Sequence, residues 1–212
     1  MRLAAESAPG RSDLQADVEP DDAPAVVLRK VLRASADAMA DAADAVTGDA
    51  FGHSVELLTN AAQVLFVGVG TSAPLAADAA YRFRTTGLLT EAPSDVHVQH
   101  VAARLLRPDD VCLAISHTGQ TRETLAAVTA ARAAGAATIA VTSFSRSSLT
   151  KITDVVLIAG SRETNYRVEA MTSRLVHTAV LDALYVATSL AQPDRARRAQ
   201  ELSAEVIAKH RV

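Results

Sequence analysis

Apolar positions along the chain follow two rhythms. "QVLFVGVG" (63–70), "DVCLAIS" (110–116), "AATIAVTS" (136–143) and "DVVLIAG" (154–160) are short, nearly continuous apolar runs. That pattern suits strands buried on both faces of a sheet. "GLLTEA" (87–92) is a shorter strand candidate. Between these runs the apolar residues recur every three or four positions. Residues 25–46 carry Val27, Val31, Leu32, Met39 and Val46, and 50–62 carry Phe51, Val55, Leu58 and Ala62. Further helices are predicted over 72–86, 95–106, 121–134, 166–191 and, after Pro193, 193–210. Strands alternating with helices at this spacing predict an α/β fold. It is a three-layer α-β-α sandwich on a parallel, roughly five-stranded sheet of Rossmann or flavodoxin type. In such sheets ligands sit at the carboxyl ends of the strands. The residues just after each strand therefore matter most.

Residues 1–24 contain Pro9, Gly10, Pro20 and Pro24, with six acidic residues against Arg2 and Arg11. They read as a linker or disordered arm. Residues 25–212 read as one domain with flanking helices, its core at about 50–190. With 212 residues and 49% hydrophobic composition the chain can bury a real core. The net charge of −3 gives no basic footprint for nucleic acid, and 3% aromatic content gives no base-stacking surface. The single cysteine, Cys112, lies inside an apolar run and reads as a core residue. It cannot form an internal disulfide, which fits a reducing cytoplasm. No apolar run is long enough to span a bilayer.

Two of the post-strand segments carry chemistry. "GVGTSAP" (68–74) places Gly68 and Gly70 before Thr71 and Ser72 at the start of a helix. Glycines allow close approach of backbone to a ligand, and a helix start attracts anions. Position 73 is alanine, so the dinucleotide fingerprint is absent, and no Gly-Lys-Ser/Thr follows. "ISHTGQT" (115–121) gathers Ser116, Thr118 and Thr121 around Gly119. One helix cap needs one hydroxyl; three and a glycine point to a phosphate. In the third segment, 142–149, Thr142 and Ser143 continue the polar rim, and Ser147 or Ser148 caps a short helix. No cofactor and no metal is expected.

"GVGTS", "ISHTGQTRETL", "AGAATIAVTSFSRSSL", "TDVVLIA" and "EAMTSRLVHTAVLDALY", in this order, resemble a sugar isomerase (SIS) domain. "YRFRTTG" (81–87) and "DVHVQHVAARLLRPDDV" (95–111) narrow the resemblance to the C-terminal effector domain of MurR/RpiR-type transcriptional regulators. The resemblance covers about 50–190. It implies a dimer that binds a phosphorylated sugar or amino sugar. It implies phosphate binding by Ser72, Ser116, Thr118, Gly119 and Thr121, with Gly68 and Gly70 as turn glycines. Glu169 and Ser173, in the segment that the resemblance places over the sugar, would contact it. The usual helix-turn-helix domain is not expected in this chain, so any DNA contact would run through a domain outside it.

Three functions stay open. The chain can be the effector sensor of a regulator of sugar metabolism, a small phosphosugar aldose–ketose isomerase, or a dimerisation module. An isomerase needs a general base near C1/C2. Glu169 is the first candidate; Glu163, His97, His100, His117 and His177 are the others. Each histidine also has a plain structural role open to it, and Arg174 can as well pair with an acidic neighbour as touch a ligand.

Overall fold

The computed structural model describes residues 18–46, 48–160 and 171–210. Five strands form one sheet: β1 (Gln63–Val67), β2 (Leu89–Glu91), β3 (Val111–Ile115), β4 (Ala137–Thr142) and β5 (Val155–Ile158). They pair in the order β2-β1-β3-β4-β5, and every pairing is parallel. Eight α-helices surround them among the described residues: α1 (Pro24–Ala45), α2 (Gly48–Asn60), α3 (Ala73–Arg84), α4 (Val96–Arg104), α5 (Arg122–Ala133), α6 (Ser148–Ile152), α7 (Met171–Ala191) and α8 (Pro193–Ala208).

The continuous apolar runs are explained by two cores, one on each side of the sheet. Alternate strand residues Val64, Phe66, Leu113, Ile115, Ile139 and Val141 face α1, α2, α3 and α7. The intervening Leu65, Val67, Cys112, Ala114 and Ala140 face α4, α5 and α6. The second side is lined by small residues, with Ala103 of α4 and Ala127 and Ala131 of α5 opposite Cys112, Ala114 and Ala140. Small side chains let those helices lie close to the sheet. The first side takes the aromatic residues: Phe66 and Phe83 are 5.5 Å apart between ring centroids, and Phe83 meets Tyr185 edge-on at 6.0 Å. These tilted arrangements are the ones aromatic pairs prefer.

Cys112 is fully buried in the central strand, and burial pushes its thiol up to about 12. Nucleophilic chemistry needs the thiolate, so Cys112 serves the core, as its sequence context predicts. No helix among the described residues is long and apolar enough to cross a membrane.

The strands are shorter at their carboxyl ends than the apolar runs suggest. β1 stops at Val67, and Gly70–Ser72 form a single 3-10 turn instead. β3 stops before Ser116, and β5 stops before Ala159 and Gly160. Ser116 and Ala159 are buried yet leave the strand ladder, because the chain turns there to build loops. The long helix begins, among the described residues, at Met171. Residues 166–170 and most of the proposed arm lie outside the described residues.

Candidate functional site

β1 and β3 are neighbours, with Val67 opposite Ala114. The loops that follow them therefore start side by side at one edge of the sheet. In the first loop Gly70 adopts φ +61°, and the chain enters α3 through Ser72. Ser72 stands at the cap position of α3, but its hydroxyl makes no cap bond to that helix. Gly68 is required by close packing: a Cβ there would lie 2.9 Å from the Ser72 carbonyl oxygen. The Gly68 carbonyl accepts a hydrogen bond from Gln99 Nε2 at 3.1 Å, and Gln99 also donates to Pro93 O at 2.8 Å. A buried side chain on α4 thus fixes the first loop from beneath.

The second loop folds around Gly119, which also has φ +61°. Ser116 Oγ accepts the Gly119 N–H at 3.2 Å and lies 3.4 Å from Thr121 Oγ1. Thr118 Oγ1 accepts the Gln120 N–H at 3.2 Å. Thr121 is the cap residue of α5, yet its hydroxyl makes no cap bond. Capping is the ordinary use of a hydroxyl at that position. Here the α5 start leaves its N–H groups without a side-chain partner from Thr121, while two hydroxyls converge beside it. The N–H groups of a helix start, the positive end of its dipole and rotatable hydroxyls are the features that attract an anion.

The floor of this loop is tied to the next strand. Ser143 N–H donates to His117 O at 3.1 Å, Thr142 Oγ1 donates to the same carbonyl at 3.2 Å, and Leu149 N–H donates to Gly119 O at 3.0 Å. Ser147 caps α6 in a reciprocal arrangement with Thr150, which settles the choice between Ser147 and Ser148. Ser148 instead donates to Gln120 Oε1 at 2.7 Å.

The SIS domain family profile matches residues 57–187, more than half of the chain. The chain belongs to the SIS domain family. An uncharacterized HTH-type transcriptional regulator of Thermotoga maritima is 30% identical over 177 residues, which are 84% of this chain and 63% of that protein. The chain therefore spans less than two thirds of that relative's length. Among solved structures, the Vibrio vulnificus NanR protein complexed with ManNAc-6P has a TM-score of 0.82 at 21% identity, covering 88% of this chain and 70% of that one. The sugar isomerase domain of an RpiR transcription factor from Sphaerobacter thermophilus has a TM-score of 0.77 at 23% identity, covering 84% and 98%. These two likenesses establish the fold.

Within this SIS domain the histidines separate clearly. His100 Nε2 meets the Glu123 carbonyl at 2.9 Å and joins α4 to the start of α5. His97 is exposed on α4. His117 does not simply face solvent: its Nδ1 lies 2.8 Å from Ser143 Oγ, and its ring meets Phe144 edge-on at 5.3 Å. His177, on α7, is 2% exposed, and its Nε2 lies 3.1 Å from the same Ser143 Oγ. Burial, with the nearby His117 adding to it, pushes the His177 imidazole down from 6.5 to about 4. Ser173 is fully buried in the first turn of α7, and Arg174 is exposed. Glu163 and Glu169 lie outside the described residues.

The depressed His177 pKa has a consequence for stability. Between about 4 and 6.5 the unfolded chain takes up a proton that the folded SIS domain refuses. Stability contributed by neutral His177 is therefore complete above pH 6.5 and is lost as pH falls toward 4. The full window corresponds to about 3 kcal/mol. Thermal melting followed across this window is expected to show a falling midpoint on acidification. His177→Gln, which cannot titrate, should flatten that slope; an unchanged slope would contradict the account.

A separate groove of about 160 Å³ lies between α3 and α7, floored by Leu75, Ala79 and Leu181. Its rim residue Arg82 is already paired with Asp78 at 2.8 Å and Asp182 at 3.2 Å. It lacks the paired hydroxyls that Ser116 and Thr121 form after β3. Gln99 and the Ser143 link were not singled out from sequence. Gln99 sits on the buried side of α4 with Ala103 one turn on, and a glutamine on an apolar face is the signal that marks it.

Proposed function

We propose that this SIS domain binds a phosphorylated sugar or amino sugar and serves as the effector-sensing part of an RpiR-type transcriptional regulator of sugar metabolism in the cytoplasm. One observation carries the binding half: Ser116 Oγ and Thr121 Oγ1 lie 3.4 Å apart at a helix start whose cap hydroxyl is not engaged. Ser72, at the start of α3 on the neighbouring strand's loop, is assigned to the same phosphate. Thr118 and Gly119 complete the loop, with Gly68 and Gly70 shaping the first turn. Glu169 and Ser173 are assigned to the sugar. The regulatory half is supported by the HTH-type regulator from Thermotoga maritima and by the NanR and RpiR structures. DNA would be contacted through a domain outside this chain.

Calorimetry tests the binding half. ManNAc-6P and a panel of hexose and pentose phosphates are titrated beside their unphosphorylated sugars, and only the phosphates are expected to bind well. Thr121→Val keeps the side-chain shape and removes the donor. A hydrogen bond to a charged group contributes about 1.5–3 kcal/mol, so affinity should fall roughly ten- to a hundredfold. Thr129→Val is the control, because the Thr129 hydroxyl already donates to Leu125 O within α5 at 2.8 Å. Equal affinity for a sugar and its phosphate, or full affinity in Thr121→Val, would sink the phosphate site. Turnover of a panel member by the parent would favour the isomerase, with Glu169 as base.

A homodimer completes the proposal. Leu28, Leu32 and Met39 on α1, and Leu175, Val186 and Leu190 on α7, are large apolar side chains left exposed. A symmetric contact between copies would cover them. Light scattering at micromolar concentration is expected to give twice the chain mass of 22.2 kDa; a monomer mass refutes it.

A further inference from the structure

α1 carries its charges in an order that an isolated helix disfavours. Its basic residues, Arg29, Lys30 and Arg33, all lie in the first half, and its acidic ones, Asp37, Asp41 and Asp44, in the second. The first turn has no acidic residue and the last turn no basic one. A helix favours the reverse, because its N-terminus is the positive end of the dipole and its C-terminus the negative end. Lys30 is drawn to Asp22 at 2.7 Å. Arg29, Arg33, Asp37 and Asp41 are exposed, and none of the four makes an ion pair among the described residues.

These four stand at intervals of four residues, so they form one ridge along the helix. The ridge beside it is Leu28, Leu32, Ala36 and Ala40, all exposed. Leu28 and Leu32 are each 60% exposed, and Met39 adds to the open apolar surface. The other side of α1 is occupied: Ala38 and Ala42 are buried, and the helix packs along α7. An apolar ridge and a charged ridge therefore lie side by side, both left open among the described residues.

The charge order is self-complementary under one operation. Arg33 and Asp37 are equally distant from Ser35, and so are Arg29 and Asp41. A two-fold axis passing by Ser35 and Ala36 runs a second α1 antiparallel to the first. It sets Arg33 against Asp37 of the second copy and Arg29 against Asp41 of the second copy. Each pair then occurs twice, as a contact between identical surfaces requires. The small Ala36 at the axis lets the helices approach closely, and Leu32 falls beside Met39 of the second copy. The antiparallel partner also lays each basic half beside the negative end of the other helix dipole, which relieves the unfavourable order. A parallel pair would set like charge against like charge along the whole ridge.

We propose that α1 is the self-pairing surface of this protein: two copies join through antiparallel α1 helices, with Arg29 and Arg33 against Asp41 and Asp37 of the second copy. This rests on the homodimer reading above and gives it one surface and one register.

The test uses the full chain, and sedimentation reads the dimer dissociation constant. Arg29→Glu with Arg33→Glu makes the ridge wholly acidic. Four attractive pairs become repulsive, and the dissociation constant is expected to rise about a hundredfold. Asp37→Arg with Asp41→Arg makes the ridge wholly basic, with the same expected loss. Mixed in equal amounts, the two variants are expected to pair with each other, which native mass spectrometry resolves by mass. That pairing also shows that both variants are folded. A chain carrying all four changes reverses the order without losing it, and is expected to return to within about threefold of the parent. For the register, Ala36→Cys is expected to form a disulfide between copies under oxidised glutathione. Ala25→Cys, about 30 Å from its counterpart in the antiparallel pair, is expected to form none. Cys112 is fully buried and stays out of this chemistry. Parent-like dimers of the acidic variant, or no pairing in the mixture, overturn the α1 contact and leave a dimer built on another surface, such as the exposed residues of α7. A disulfide at Ala25→Cys with none at Ala36→Cys reports a parallel pair and overturns the register. A monomeric parent brings down the homodimer reading and the α1 contact together.

Discussion

Gly119→Ala is expected to abolish phosphosugar binding and to destabilise the fold. Gly119 has φ +61°, in the left-handed region that an alanine occupies at a cost of about 1–2 kcal/mol. Space is the larger obstacle. A Cβ at this position would lie 2.3 Å from Ser147 Oγ and 2.6 Å from Ser147 Cβ. Ser147 cannot yield without losing its reciprocal cap with Thr150 at the start of α6. The loop would have to lift instead, breaking the bond from Leu149 N–H to Gly119 O and the bond from Gly119 N–H to Ser116 Oγ. Overpacking of this kind costs about 1–3 kcal/mol, so the total loss is roughly 2–5 kcal/mol. Denaturant unfolding measures the stability loss, and calorimetry with ManNAc-6P measures the binding loss. A stable, fully binding Gly119→Ala would show that the loop can be rebuilt without this turn.

Gly160→Ala is expected to have the next largest effect, for a different reason. Its Cβ would come within 2.7 Å of both Ser143 Cα and Ser143 O. Those are backbone atoms, and no rotation of a side chain relieves them. The ends of β4 and β5 must part, which threatens the bond from Ala159 N–H to Thr142 O at 2.8 Å. A loss of about 1–3 kcal/mol corresponds to a melting point lower by several degrees in a chain of this size. Gly52→Ala is the matched comparison. Gly52 lies within α2, is exposed, and has nothing within 4 Å of an added Cβ. That change should stabilise by about 0.5–1 kcal/mol. Equal effects from the two substitutions would mean that the crowding around Ser143 is not felt.

The parallel sheet was legible because its strands are buried on both faces, and a doubly buried strand writes a continuous apolar run. The hydroxyl-rich turn after β3 was legible because hydroxyls and a glycine cluster within six residues. Contacts between segments distant in sequence were not legible. His117 and His177 are 60 positions apart and meet only because β4 delivers Ser143 between them. Neither histidine carries a local pattern that announces a partner. Gln99 was hidden in the same way, since its task is to hold a carbonyl 31 positions earlier in the chain. Strand ends were overestimated because periodicity reports burial. Ala159 remains inside the protein after it leaves the ladder. The sugar-contacting assignment of Glu169 rests on the family resemblance alone.

The solitary thiol in the middle of the sheet gives this protein an internal clock. Cys112 is wholly enclosed in β3, between a strand on each side and a layer of helices. A thiol reagent added to the folded protein can reach it only after the sheet has come apart, so the speed of labelling counts global openings. A ligand held only by the folded form slows that count by the factor 1 + [L]/Kd, whatever the ligand's colour or shape. Candidate ligands can thus be ranked by how long they keep Cys112 dark to a chromogenic disulfide, with no tag and no second cysteine.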